Sequence, residues 1–330
     1  MRMMSVLTLS VIGLILAGAI PAFTQDAPTV AVDAAANLTP ADRQAFAAIS
    51  AAYKAGDLKE VVRILTPMAE SGNLFAQYAL GMLYQEGQGV PQDNGAAISW
   101  FRKSAEQGYA RAQTRLGEMY EGGVGVPQDY VVAAEWYRKA ADQGFAGGQY
   151  SLGALYSQGK GMPHDPVAAE NWFLKAADQG DAQSQYDAAV GYERGDGVPQ
   201  DYAMAVKWYQ KAADQGHALA EYDLGVMYYQ GTGVDQDYAA AAAWYQKAAD
   251  QGLAEAQYNL ADQYARGRGV AWSPVQAYKW VSLAVLSATA PNVRASAVKK
   301  KTMMEGLMTK AEIAEAEGQI KAWKAVPTKN

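Results

Sequence analysis

Acid–base, metal and nucleophile chemistry each need particular side chains at particular spacings, and this chain of 330 residues offers few of them. It has no cysteine, which excludes a thiol nucleophile, a Cys-ligated zinc and a disulfide framework. Its two histidines, His164 and His217, lie over fifty residues apart and cannot by themselves make a two- or three-histidine metal site. Both read as solvated loop residues. Carboxylates are plentiful, and a facing pair could do general acid–base work. However, Asp93, Asp129, Asp165, Asp201 and Asp237 form a series, as do Glu106, Asp142, Asp178, Asp214 and Asp250. A catalytic dyad is a single arrangement, not one copied along the chain, so the first series reads as helix caps and the second as exposed final-turn residues. Gly-x-Gly pairs could cradle a phosphate, but here each follows a helical stretch and lacks the third glycine of a dinucleotide fingerprint. They read as turns. Lys299, Lys300 and Lys301 with Arg294 form a small basic cluster, read as a solvated face or as a contact for an acidic partner or lipid. With 28 Lys+Arg against 34 Asp+Glu the formal charge is −6, which disfavours a nucleic-acid surface. No catalytic, cofactor-binding or metal-binding residue is assigned, and no cofactor is expected.

The elements that position these residues repeat. Trp stands at 100, 136, 172, 208, 244 and 280, a constant spacing of 36. Gly72, Gly108, Gly144, Gly180, Gly216 and Gly252 keep the same interval, as do Tyr84, Tyr120, Tyr156, Tyr192, Tyr228 and Tyr264 and the pairs from Gly87/Gly89 to Gly267/Gly269. Self-similarity at this period signals a stacked array rather than two globular domains. In the unit from His217 to Gly252, Ala218–Gln230 reads as a helix with Leu224 and Tyr228 on one face. Gly231-Thr232-Gly233-Val234 ends it, Asp237 caps a second helix, and Ala241, Trp244, Tyr245 and Ala248 make its apolar stripe. A lone hairpin cannot bury that stripe. Trp100, Trp136, Trp172, Trp208, Trp244 and Trp280 are expected to act as structural plugs between stacked copies, with Gly225, Ala241 and Ala248 leaving room for the plug.

Ala220, Leu224, Gly225, Tyr228, Gly231, Gly233, Val234, Asp237, Ala241, Trp244, Lys247, Ala248, Ala249 and Gly252 together resemble the Sel1-like repeat family. That resemblance, similar in turn to tetratricopeptide repeats, implies an all-α, right-handed α/α solenoid of helical hairpins with helical caps at both ends. It covers six copies, at 73–108, 109–144, 145–180, 181–216, 217–252 and 253–288. The last copy departs at Ala271 and Ser273, and Pro274 replaces the usual Tyr. Residues 39–72 are expected to form an N-terminal capping hairpin begun by Thr39-Pro40 and Asp57-Leu58-Lys59-Glu60. Residues 289–330 are expected to form C-terminal capping helices and a tail, with a helix over Asn292–Leu307 and a capping box at Thr309-Lys310-Ala311-Glu312.

The chain opens Met1-Arg2-Met3-Met4, an apolar run follows from Val6 to Ile20, and small residues Ala17, Ala19 and Ala22 come next. This matches a secretory signal peptide over 1–24, with a flexible leader over 25–38. A periplasmic location is expected, with secretion or an inner-membrane anchor as alternatives. Membrane contact is expected only if the segment stays uncleaved.

The family resemblance implies a non-enzymatic adaptor that binds another protein along the concave wall lined by the first helices. Subtracting the recurrent Leu, Gly and Tyr leaves the variable positions of that wall. One series reads Tyr78, Thr114, Tyr150, Tyr186, Tyr222 and Tyr258; the next Met82, Glu118, Ala154, Val190, Val226 and Asp262; a third Gln85, Glu121, Ser157, Glu193, Tyr229 and Ala265. Tyrosine joins a broad apolar face to a hydroxyl at low entropy cost, which suits protein recognition. The alternative use of that ladder is packing between repeats. A cysteine-rich secreted branch of the family implies a rival reading, a cell-wall-related or penicillin-recognising hydrolase; this chain departs from it in having no cysteine.

Overall fold

The computed structural model describes residues 40–326 of the chain. The expected signal peptide and leader lie outside the described residues. The chain divides into two compact units, one ending at Gln179 and the other starting at Gly180. Sixteen helices and no strand occur among the described residues. The first unit holds α1 (Pro40–Lys54), α2 (Leu58–Glu70), α3 (Leu74–Glu86), α4 (Asn94–Glu106), α5 (Ala110–Gly122), α6 (Tyr130–Asp142), α7 (Ala146–Gln158) and α8 (Pro166–Ala177). The second holds α9 (Ala182–Arg194), α10 (Tyr202–Asp214), α11 (Ala218–Gln230), α12 (Tyr238–Asp250), α13 (Ala254–Arg266), α14 (Pro274–Ser287), α15 (Pro291–Glu305) and α16 (Lys310–Ala322). Within each unit the helices pack as consecutive antiparallel hairpins, the arrangement of an all-α repeat solenoid.

Local chemistry sets the helix ends. Asp93, Asp129, Asp165, Asp201 and Asp237 each accept a hydrogen bond from a free amide in the first turn of a second helix, as the capping series required. Where the sixth copy lacks that aspartate, Ser273 does the same for α14 through the Gln276 amide. Asp57 caps α2 through the Glu60 amide, while the Glu60 carboxylate turns to Arg63 instead of closing the box. Thr309 and Glu312 do form the full capping box of α16.

The second glycine of five Gly-x-Gly pairs sets the spacing between neighbouring repeats. A Cβ on Gly161 would lie 2.5 Å from the Tyr130 carbonyl, at the start of the preceding repeat's second helix. Gly89, Gly125, Gly233 and Gly269 meet the equivalent backbone of Leu58, Asn94, Tyr202 and Tyr238. These turns are therefore docking points between repeats as well as chain reversals.

The plug expected of the tryptophans belongs mainly to the next residue. Phe101 and Tyr137 are 0% exposed, Tyr209 1% and Tyr245 2%. Phe101, Tyr137 and Tyr245 drive into the first helix of their own hairpin where a glycine leaves space: a Cβ on Gly117 would sit 2.5 Å from the Tyr137 ring, and one on Gly225 2.7 Å from Tyr245. Gly225 thus seats Tyr245, not Trp244. Trp100, Trp136, Trp172 and Trp244 are only half-buried; Trp208 and Trp280 are buried. The ammonium group three residues on covers an indole face in most copies, with Lys139 Nζ 3.9 Å from the Trp136 ring centre and Lys247 Nζ 3.6 Å from that of Trp244. The physical reason is helix geometry. Adjacent residues point about 100° apart, so when the ring after the tryptophan faces the hairpin partner the indole falls on the shoulder of the helix.

Candidate protein-binding face

The first helices of the repeats carry two kinds of position, one sealed and one open. The sealed positions include a glutamine that clamps successive hairpins. Gln77 Nε2 donates to the Ala69 carbonyl at 3.0 Å and Gln113 Nε2 to the Ala105 carbonyl at 3.0 Å, each eight residues back at the end of the previous helix. Gln257 does the same to Ala249 at 3.2 Å. The side-chain oxygens of Gln77 and Gln113 accept in turn: Gln107 Nε2 donates to Gln77 and Gln143 Nε2 to Gln113, both at 2.7 Å. These amides are buried, and in Gln77 and Gln113 both ends are satisfied, which is the condition for a polar group to hold rather than weaken a core.

On the open side the tyrosines of the series are half-buried, so they serve packing as well as surface. Tyr78 lies 5.6 Å from Phe101 and 5.3 Å from Tyr109. Tyr150 packs on Phe173 at 5.6 Å and Tyr222 on Tyr245 at 5.9 Å. Tyr186 stacks on His217 at 4.8 Å and donates its hydroxyl proton to Asp223 Oδ2 at 3.1 Å. Burial, with the Asp223 charge second, raises the Tyr186 hydroxyl well above its ordinary value, so it stays a donor. Burial likewise pushes the Asp223 carboxyl up to about 6, with Glu193 adding to it and the Tyr186 hydrogen bond opposing.

The edging residues are distributed differently from the sequence expectation. Met82 is 3% exposed and belongs to the core, because Arg115 of the next repeat reaches across it, Nη2 to Sδ 3.6 Å. Glu121 and Glu193 are half-buried acceptors for the hydroxyls of the ring plugs Tyr137 and Tyr209, at 2.7 and 2.5 Å. Burial and that hydrogen bond raise both tyrosines far above their ordinary value. Tyr229 accepts from Arg268 Nη1 at 2.7 Å. At the C-terminal cap, Lys300 of α15 sits 3.9 Å over the Tyr258 ring and 2.7 Å from Asp262, which Arg266 also bridges at 2.8 Å. Burial alone would push the Asp262 carboxyl up, but the two cations outweigh it and hold it below its ordinary value. Tyr258 and Asp262 are thus covered by the cap, and the basic cluster is partly spent on that contact. Gln85 is half-buried, Glu118 is exposed and pairs with Arg115 at 2.6 Å, and Val190 and Val226 are half-exposed beside Tyr186 and Tyr222.

Two features were not read from the sequence. The position after Thr114, Tyr150, Tyr222 and Tyr258, occupied by Arg115, Ser151, Asp223 and Asn259, is half-exposed. His217 is not a solvated loop residue. Its Nδ1 accepts from the Ala220 amide at 3.2 Å as the N-cap of α11, and its Nε2 faces Gln183 Oε1 at 3.0 Å. An unprotonated Nδ1 places the proton on Nε2, so the ring is neutral, and burial lowers its pKa, with Asp181 opposing. Its position directly after a Gly helix stop, where Asn73 and Asp181 stand in other copies, was the available signal.

These hairpins, with their recurrent caps, glycine docking points and glutamine clamps, define an α/α repeat protein whose first-helix face varies in chemistry while its interior repeats. The Sel1 repeat family model matches residues 74–109, 110–145, 146–181, 182–217, 218–253 and 254–286. The chain belongs to the Sel1 repeat family. Among solved structures it is similar to a Sel1 repeat protein from Oxalobacter formigenes, 33% identical over 73% of this chain and 96% of that one, with a TM-score of 0.64. It is also similar to c5321, a protective antigen of uropathogenic Escherichia coli strains displaying an SLR fold, at 27% identity over 96% of this chain and 84% of that one, TM-score 0.38. A third is the immunity protein PA5088 of Pseudomonas aeruginosa, 20% identical over 78% of this chain and 89% of that one, TM-score 0.40. No curated protein matches the chain.

Proposed function

We propose that the protein is a non-enzymatic adaptor of the bacterial envelope, acting in the periplasm, that binds a protein partner on the first-helix faces of its repeats. One observation carries this reading. In the second to fifth copies, the open position four residues after Thr114, Tyr150, Tyr186 and Tyr222 changes from Glu118 to Ala154 to Val190 to Val226. Packing alone gives no reason for such a change at half-exposed or exposed sites, whereas recognition by several weak contacts held in fixed register does. The Sel1 family membership supports an interaction role, and the apolar run Val6–Ile20 supports export.

A photo-crosslinking amino acid placed at Val190 or Val226, and separately at the exposed second-helix residues Val131 and Val167, tests the reading in the native envelope. Adducts are expected from the first pair and not from the second. Equal yields from both pairs refute the face assignment, and adducts recovered only from the cytoplasm refute the envelope location.

A further inference from the structure

The glutamine clamp is present as Gln77, Gln113, Gln149, Gln185 and Gln257, but the fifth repeat carries Glu221 in its place. Glu221 is 4% exposed, as deeply set as the glutamines, and its Oε2 accepts from Gln251 Nε2 at 2.7 Å, reproducing the accepting half of the clamp. The donating half is the difference. In Gln77, Gln113, Gln149 and Gln257 an amide N–H points to a carbonyl eight residues back, which for residue 221 is Ala213 at the end of α10. An ionised carboxylate has no proton to donate to that carbonyl; a protonated one has the shape and the donor of glutamine.

We infer that Glu221 is a proton-dependent clamp, closing the α10–α11 junction when it carries a proton and loosening that junction when it is ionised. The surroundings favour the closed form near neutrality. Burial pushes the Glu221 carboxyl up to about 7; the charged groups acting on it come from α12, where Lys247 lowers it and Asp250 raises it, and the Gln251 hydrogen bond lowers it. The sign follows from linkage. The folded chain holds this proton more tightly than the unfolded chain does, so the clamp is complete below the ordinary Glu range and is lost as pH rises through about 7. On the same helix, Asp223 adds the same sign at lower pH, facing Tyr186, Glu193 and Arg194. His217, facing Asp181 and Gln183, has the opposite sign.

The test is hydrogen exchange, corrected for intrinsic rate, at backbone amides of residues 212–224 in the full chain at pH 6.0 and pH 8.5. Glu221→Gln restores the amide of the other copies and leaves Asp223 and His217 in place. Protection in the wild type is expected to fall about tenfold more than in Glu221→Gln between the two pH values. Parallel profiles in the two proteins overturn the inference. The converse variant, Gln113→Glu, is expected to give α5 and the end of α4 a loss of protection with rising pH that the wild type lacks there. A Gln113→Glu chain whose protection shows no added pH dependence also overturns it.

Discussion

Replacing Tyr137 and Trp136 separately by alanine distinguishes the two neighbours as plugs. Tyr137 is 0% exposed, its ring fills the space left by Gly117, and its hydroxyl donates to Glu121 at 2.7 Å. Truncating a buried aromatic costs about 3–5 kcal/mol, because the lost transfer free energy adds to the cavity left behind. Trp136 is half-buried and keeps one indole face under Lys139 at 3.9 Å. Its truncation forfeits only partial burial and a cation–π contact of about 0.5–1 kcal/mol, for a total of roughly 1–2 kcal/mol. The two variants should therefore differ by at least about 1 kcal/mol, a factor of five or more in a local opening constant. Repeat arrays open locally, so a single global melting temperature is a poor readout. The suitable assay is native-state hydrogen exchange over α5, α6 and α7. Tyr137→Phe, which keeps the ring and loses the bond to Glu121, should cost about 1 kcal/mol and separate the hydroxyl from the wedge. If Trp136→Ala opens these helices as much as Tyr137→Ala does, the tryptophan is the plug and the assignment made here is wrong.

Other substitutions probe the remaining links. Gly161→Ala would place a methyl 2.5 Å from the Tyr130 carbonyl at a position with φ of 71°, and should destabilise the junction between the second and third repeats by about 2 kcal/mol or more, read by exchange in α6 and α7. Asp129→Ala removes the bonds to the Val131 and Val132 amides and should cost about 1 kcal/mol, with Asp129→Asn recovering most of it in urea titration. In the Glu221→Gln chain, where the opposing Glu221 titration is removed, lowering pH from 7 to 5 should weaken the start of α11 more than in the same chain carrying His217→Asn, because the folded chain binds the His217 proton less readily than the unfolded chain. That contribution is present above the ordinary histidine pKa and lost as pH falls through the depressed one. His217→Asn, which keeps a capping acceptor, should abolish this acid-side loss in exchange measurements at the amides of α11.

The architecture was legible because its signals are ones a single sequence displays: a period of 36, a capping aspartate in five of the six copies and a glycine stop in each. What the period could not reveal is which member of a ladder faces inward. Trp136 and Tyr137 recur together, and the larger ring is the natural guess for the plug; the rotation between adjacent helical residues, together with Gly117 opposite, selects the second. The glutamine clamp was equally periodic in Gln77, Gln113 and Gln149, yet polar residues at regular spacing read as surface unless the carbonyls they reach are known. Among the face residues, Glu121 and Glu193 were visible as carboxylates, but their engagement by Tyr137 and Tyr209, sixteen residues on, depends on how each hairpin closes. The Lys300 contact that covers Tyr258 joins residues 38 or more apart in a region where the repeat pattern has ended, so no periodic signal announces it.

Such pairings narrow what the first-helix face can present to a partner. A hydroxyl bonded to the next repeat, as in Tyr186 to Asp223, is a poor free donor, because breaking that bond to bind a ligand would leave a half-buried carboxylate without its proton donor. Tyr258, under its lysine, is still less available. The groups on this face that can change partners without exposing a buried charge are Val190 and Val226, together with the Arg115–Glu118 pair, whose exposed carboxylate gains little from its present ion pair. In the second unit the valines offer apolar contact, and in the first the Arg115–Glu118 pair offers charge selection. Val190→Lys and Val226→Lys should consequently abolish crosslinking to a partner without loss of helicity, whereas Tyr186→Phe should weaken the α9–α11 packing first and binding only through it. A Tyr186→Phe chain with intact exchange protection and abolished crosslinking would show that the hydroxyl itself meets the partner, and would reverse this division of roles.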